Sequence, residues 1–143
     1  MYFNQLVCRK YSVCLNEKAN PSGSKRMVGF LTTHALDTSC GTPAANLRID
    51  FFEYTDGRSN PVCSVSTNAD GRTDQPIMTE VDFRLGSFEL IFYVGDYYRQ
   101  FGHRYSEPVF LDLVPIRFGI SENKHYHVPL LLSPFGYSTY RGS

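Results

Sequence analysis

The sequence predicts an all-β fold, a sandwich built from short strands. From about Val28 onward, short runs of β-branched and aromatic residues alternate with turn residues at nearly even spacing. Within several runs, apolar and polar residues alternate with a period of two, as strands with one buried face require. No long stretch shows the 3.6-residue period of an amphipathic helix. At 143 residues the chain is long enough for one core and too short for two ordinary ones.

Turn residues divide this region into eight predicted strands. In one of the clearest, Leu47, Ile49 and Phe51 alternate with polar residues and define a core face. Breaks rich in Gly, Asn, Asp and Ser separate the strands, because these residues accept turn dihedrals. The predicted strands are residues 29 to 36, 46 to 54, 62 to 67, 77 to 83, 87 to 94, 109 to 120, 125 to 132 and 136 to 141.

Two segments depart from the strand pattern. Residues 96 to 101 are closed by Gly102 and are long enough for only a short helix with a glycine stop. Residues 1 to 27 show no convincing period and finish close after a run that contains Asn, Pro, Ser and Gly. We therefore predict a flexible N-terminal extension over residues 1 to 27 and a single domain over residues 28 to 143.

Composition excludes several classes of partner. Fourteen basic and fourteen acidic side chains give a formal net charge of zero, so we expect binding to neither nucleic acid nor an anionic membrane. No run of roughly 18 apolar residues could span a bilayer, and the start does not resemble a secretory signal. The four cysteines form no CxxC pair. We expect reduced thiols in a cytoplasmic protein, with no clear peroxisomal address in the sequence.

The pair His125 and His127 lies on one predicted strand, so both imidazoles leave the same face. This spacing permits a metal pair, but a zinc site needs at least a third ligand and no partner pattern is present. Plain polar strand surface is the alternative. His34 and Arg72 mean little one at a time, since each is typical of a structural histidine or a solvated arginine. The absence of a GxSxG elbow disfavours a covalent serine mechanism.

The end of the chain is unusually specific in composition. Residues 125 to 143 contain two histidines, three tyrosines and an arginine, although a terminus usually frays and tolerates change. We expect this segment to be ordered and built into a site.

Four motifs are separated along the chain. They are Leu31 to Thr38 with Gly41 to Ala44, Thr67 to Arg72, His125 to Pro134, and Tyr140 to Ser143. Together they closely resemble those of the transthyretin-like 5-hydroxyisourate hydrolases. The resemblance covers about residues 28 to 143 and implies a transthyretin-like (prealbumin-like) sandwich of two four-stranded antiparallel sheets with one short helix. It also implies a homotetramer, a dimer of dimers with active sites in the channel between dimers.

The resemblance also implies a substrate and a site. The expected reaction is hydrolysis of 5-hydroxyisourate to 2-oxo-4-hydroxy-4-carboxy-5-ureidoimidazoline, without a metal or an organic cofactor. The alternative is a transthyretin-like small-ligand binding protein without catalysis, which the retained histidines, arginine and terminal motif disfavour. His125 is expected in a supporting or surface position. The residues matched to catalytic positions are His34, Arg72, His127 and Ser143, and those expected to bind substrate are Tyr137, Tyr140 and Arg141.

Overall fold

The structure is a computed structural model that describes residues 28–102 and 105–142. The described chain forms two four-stranded sheets and one short helix, which confirms the predicted fold class. The strands are β1 (Phe30–Asp37), β2 (Thr42–Pro43), β3 (Arg48–Thr55), β4 (Arg58–Ser66), β5 (Gly86–Tyr93), β6 (Leu113–Ile120), β7 (His125–Ser133) and β8 (Gly136–Thr139), and helix α1 (Val94–Arg99) follows β5.

The first sheet has the strand order β2-β1-β7-β8, and the second sheet has the order β4-β3-β5-β6. The expectation that both sheets are antiparallel needs a correction, because β1 and β7 run parallel, with Phe30 opposite His125 and Asp37 opposite Leu132. Parallel neighbours require a long connection between them. The whole second sheet lies between β1 and β7 in sequence and supplies that connection.

The strand predicted over residues 77 to 83 is wrong. Met78 forms only an isolated bridge with Leu31. The chain then turns, with the Asp82 N–H donating to the Thr79 carbonyl at 3.1 Å. The apolar residues that suggested a strand pack beside β1 and form only this one bridge. The turn that follows prevents further strand pairing.

Other boundaries differ by a few residues. The two-residue strand β2 was not predicted, because a segment that short carries no period. The strand predicted from residue 109 begins at Leu113, and the helix predicted from residue 96 begins at Val94. The predicted extension over residues 1 to 27 and Ser143 both lie outside the described residues.

The core lies between the two sheets, and it fixes which residues face outward. Large side chains of the second sheet, such as Phe51, Phe88 and Phe92, have no exposed surface. In β1, buried residues alternate with partly exposed ones from Phe30 onward, and β7 follows the same alternation at its start. The side of the first sheet that points away from the core, called the outer face below, therefore carries Thr32, His34, Leu36, His125, His127, Pro129 and Leu131.

A buried carboxylate ties the end of β1 to α1. Asp37 is 3% exposed and accepts hydrogen bonds from the backbone and hydroxyl of Ser39, at 2.9 and 2.6 Å, and from the hydroxyls of Tyr98 and Tyr97, at 3.1 and 3.2 Å. Burial alone would raise the pKa of Asp37, but these hydrogen bonds outweigh it and lower the pKa below its usual value. The ionised form therefore stabilises the fold.

We expect Asp37→Asn to lower the free energy of unfolding by about 1–3 kcal/mol at neutral pH, because an amide N–H₂ would face hydroxyl donors. The contribution of ionised Asp37 is fully present above the unfolded pKa of about 3.9 and is lost as pH falls through the lower folded pKa. Urea unfolding measured from about pH 2 to about pH 7 should show a flatter acid limb in the variant.

The exposed turn residue Asp56 has φ +52° and provides the matched control. Asp56→Asn should be nearly neutral, because Asn accepts positive φ as readily as Asp. Superimposable pH curves for Asp37→Asn and the unmodified protein would contradict the role assigned to Asp37.

Candidate active site

Two neighbouring strands bring the predicted histidines to one surface. Thr32 is directly opposite His127, and His34 is opposite Pro129, in the parallel register of β1 and β7. Because residues in register share a face, the side chains of His34 and His127 both lie on the outer face. The structure thus brings together two of the residues that the sequence selected.

The loop between β4 and β5 brings Arg72 to the same place. The side-chain oxygen of Asn68 accepts from the N–H groups of Asp70 and Arg72, at 3.0 and 3.2 Å, and the Asn68 N–H donates to the Arg72 carbonyl at 2.7 Å. Arg72 then forms an isolated antiparallel bridge with His34. An Asx-type turn therefore holds the arginine backbone beside β1.

Gly71 is required for this approach. Its φ is +70°, and a Cβ at this position would lie 2.3 Å from the Ala35 carbonyl oxygen. The Ala35 N–H donates to the Gly71 carbonyl at 2.8 Å, so the loop and the strand are in direct backbone contact. A residue with a side chain would push Arg72 away from His34.

The surroundings keep both histidines neutral. Burial and the positive charge of Arg72 lower the pKa of His34, against a smaller opposing effect of Asp70. Burial lowers the pKa of His127 most, followed by Arg72, His125 and His34. Each imidazole therefore keeps a nitrogen lone pair at neutral pH and can accept a proton.

The last described residues pack against His127. The Gly142 N–H donates to the His127 carbonyl at 2.8 Å. A Cβ on Gly142 would lie 2.6 Å from the His127 ring carbon Cδ2 and 3.1 Å from His127 Cβ. The tail backbone thus contacts the imidazole directly, and the next residue in sequence is the predicted Ser143.

The three residues expected to bind substrate do not share one face. The pairing of Gly142 with His127 continues the β7–β8 register, which puts Tyr140, 58% exposed, on the outer face. Tyr137 is opposite the buried Leu132 and so lies on the other side of the sheet. The Arg141 guanidinium is also on that side, 5.1 Å from the centroid of the Tyr126 ring.

Thr32 is the residue that sequence reasoning missed. Its hydroxyl lies 2.7 Å from His125 Nε2 and 2.8 Å from His127 Nδ1. His125 in turn stacks on Phe30, with 4.0 Å between ring centroids. The available signal was position, because Thr32 is two residues before His34 and therefore on the same strand face.

Two other features are absent from residues 28–102 and 105–142. These residues contain no group of three or more His, Cys, Asp or Glu residues that could hold a metal ion. None of their helices has the length and apolar character needed to cross a bilayer.

This arrangement suits attack of water on a polarised carbonyl. Neutral imidazoles can take a proton from water and return one to a leaving group. The guanidinium offers hydrogen-bond donors and charge to an oxygen that becomes negative. Both functions occur within one partly exposed surface.

Two 5-hydroxyisourate hydrolases are similar to this chain. A 5-hydroxyisourate hydrolase 2 from Rhizobium meliloti is 53% identical over 116 residues, 80% of this chain and 97% of that protein. The structure resembles 5-hydroxyisourate hydrolase from Klebsiella pneumoniae, with TM-score 0.66 and 30% identity over 82% of this chain and 95% of that one.

A transthyretin is also similar. Sea bream transthyretin, solved with thyroxine, has TM-score 0.68 and 27% identity over 78% of this chain and 93% of that one. The model of the HIUase/Transthyretin family, in which HIUase denotes 5-hydroxyisourate hydrolase, matches residues 31–142. The chain therefore belongs to the HIUase/Transthyretin family.

Proposed function

We propose that the protein hydrolyses 5-hydroxyisourate to 2-oxo-4-hydroxy-4-carboxy-5-ureidoimidazoline, a step in urate degradation. The observation that carries the proposal is the convergence of His34, Arg72 and His127 on the outer face. The 53% identity to a hydrolase over nearly that protein's whole length supports the same substrate.

In the proposed mechanism, His127 is the general base. Its Nδ1 is engaged by Thr32 at 2.8 Å, so Nε2 is the nitrogen that takes a proton from water as the oxygen attacks a ring carbonyl. Arg72 stabilises the negative oxygen of the tetrahedral intermediate. The carbon–nitrogen bond of the cyclic amide then breaks, and the proton that His127 took from water passes to the departing nitrogen, while neutral His34 positions the attacking water.

The remaining predicted residues bind or orient the substrate in this proposal. Tyr140, on the outer face, offers a flat wall for a purine-derived ring. Ser143 hydrogen-bonds substrate or orients a histidine. Because Tyr137 and Arg141 lie on the other side of the sheet, they would reach substrate only in a site to which another subunit contributes.

The open shape of the site supports the proposal of a homotetramer, a dimer of dimers. Polar residues on a sheet face do not enclose a small molecule, whereas ligand sites are concave and bury most of their ligand. A second outer face packed opposite the first would complete the enclosure with closed symmetry. We expect light scattering of an active sample to return four times the chain mass of 16.3 kDa. A monomer mass for an active sample would contradict this prediction.

One assay separates hydrolysis from the alternative, a small-ligand binding protein like the sea bream transthyretin that was solved with thyroxine. Urate oxidase generates 5-hydroxyisourate in situ, and catalytic amounts of the pure protein should collapse its absorbance without added metal or cofactor. Protein that binds planar ligands but leaves the spontaneous decay unchanged would favour the small-ligand binding protein.

Location of the protein in the cytoplasm stays a prediction.

A further inference from the structure

The Thr32 hydroxyl lies between two imidazoles. It is 2.7 Å from His125 Nε2 and 2.8 Å from His127 Nδ1, and the two rings are 6.1 Å apart between centroids. Thr32 is directly opposite His127 in the β1–β7 register. The three side chains therefore form one hydrogen-bonded chain across two strands on the outer face.

Counting protons gives this chain three arrangements. A hydroxyl has one proton and two lone pairs, so with both rings neutral it donates to one ring and accepts an N–H from the other, or it accepts from both. In the first arrangement, Thr32 donates to His125 Nε2 and accepts from His127 Nδ1–H, which leaves His127 Nε2 with a lone pair. In the second, the directions reverse and His127 Nε2 carries the proton. In the third, Thr32 accepts from both rings, and its own proton goes elsewhere. Only the second removes the lone pair from His127 Nε2 and prevents that nitrogen from acting as a base.

The charges around His127 keep its ring neutral, which is the state in which the tautomer matters. The groups that act on its imidazole are Arg72 from the β4–β5 loop, His34 from β1 and His125 from β7 itself. The Arg72 cation lowers the pKa of His127, because a positive neighbour disfavours the imidazolium. His125 stacks flat on Phe30, 12° from parallel, which holds its Nε2 toward Thr32.

We propose that Thr32 is a positioning residue that fixes His127 as the Nδ1–H tautomer, with His125 as the acceptor that sets the direction of the Thr32 hydroxyl. The catalytic consequence rests on the proposed hydrolysis, because the tautomer matters for rate only if His127 is the base. Neither Thr32 nor His125 needs to touch substrate, and both act through His127. The pair His125 and His127 thus acquires a common function that requires no metal.

Thr32→Val removes the hydroxyl at nearly constant shape, and Thr32→Ser retains it. We expect Thr32→Val to lower kcat about tenfold, the equivalent of one hydrogen bond, with KM changed less than about twofold. Thr32→Ser should restore kcat to within about threefold of the unmodified protein. Nitrogen NMR of the histidine rings should show Nδ1–H on His127 in the unmodified protein and in Thr32→Ser, and loss of that preference in Thr32→Val.

Thr33→Val is the matched control. Thr33 is adjacent on β1, and its buried hydroxyl donates to the Val128 carbonyl at 2.7 Å on the core side. This variant should lose stability and keep both the His127 tautomer and kcat. An unchanged tautomer in Thr32→Val, or a serine variant that fails to restore it, would overturn the proposal.

The NMR and kinetic readouts separate this inference from the proposed function. If the unmodified protein does not hydrolyse 5-hydroxyisourate, but Thr32→Val loses the His127 Nδ1–H signal, the positioning role of Thr32 is supported and the proposed function is contradicted. If the protein is active and Thr32→Val leaves the His127 tautomer unchanged, the proposed function is supported and the positioning role is contradicted.

Discussion

His127→Asn should lower kcat/KM for 5-hydroxyisourate by about 10² to 10⁴-fold. Asparagine keeps a hydrogen-bonding group of similar reach, but it has no nitrogen that accepts and returns a proton near neutral pH. His127 is on the outer face and only partly buried, so the fold should survive the change. Steady-state kinetics on 5-hydroxyisourate made in situ, corrected for spontaneous decay, measures the effect.

His125→Asn is the matched control, since it makes the same substitution two residues earlier on the same face of β7. It should reduce the rate far less, because His125 acts only through Thr32 at 2.7 Å. Both variants should melt within a few degrees of the unmodified protein. Equal losses in the two variants, or recovery of either on adding zinc after chelation, would count against His127 as the base and revive a metal pair.

Gly142→Ala should lower kcat/KM by about 10²-fold. The added Cβ would lie 2.6 Å from His127 Cδ2, so either the tail or the imidazole must shift, and a displacement of about 1 Å in a catalytic group has an effect of this size. Thermal stability should change little, because Gly142 lies outside the strands and forms only an isolated bridge with His127. Kinetics and a melting curve on the same sample test both statements.

Gly136→Ala is the control for this variant. Gly136 begins β8, and a Cβ there would meet only Ser133 Oγ at 3.7 Å, an ordinary contact. Its activity should be close to that of the unmodified protein. Full activity in Gly142→Ala would show that the tail does not position His127, and the site would then rest on His34, Arg72 and His127 alone.

The fold was predictable where a strand has one buried face. The alternation of Leu47, Ile49 and Phe51 indicates burial on one side, and β3 begins at Arg48 and contains Ile49 and Phe51. The segment around Met78 misled the prediction, because a single bridge to Leu31 uses the same apolar residues as a strand. The parallel pairing of β1 with β7 was also missed, since strand pairing between distant segments leaves no local period.

Residue types and motifs selected candidate site residues, but they did not specify the geometry. The resemblance selected His34, Arg72 and His127, and their placement on one face depends on the Asn68 turn and on the β1–β7 register. These are long-range backbone contacts that residue types alone do not specify. Thr32 was not selected from the sequence, because threonine is common on strands. Its hydroxyl is seen between the His125 and His127 rings only in the structure.

Tyr137 and Arg141 both lie on the side of the sheet opposite to Tyr140, and this placement also depends on strand register. Their closeness in sequence to Tyr140 suggested a common function, but successive strand residues point to opposite sides. The register of β8 against β7 sends Tyr137 to the side of Leu132 and Arg141 toward Tyr126. Proximity in a short motif therefore does not imply a shared face.

The most direct test of the hydrolysis is to follow ¹³C-labelled urate by NMR in the presence of urate oxidase and a substoichiometric amount of this protein. We expect the ring carbon signals of 5-hydroxyisourate to be replaced by those of 2-oxo-4-hydroxy-4-carboxy-5-ureidoimidazoline, over many turnovers and faster than without the protein. Persistence of the 5-hydroxyisourate signals for the same time as in the protein-free sample would contradict it.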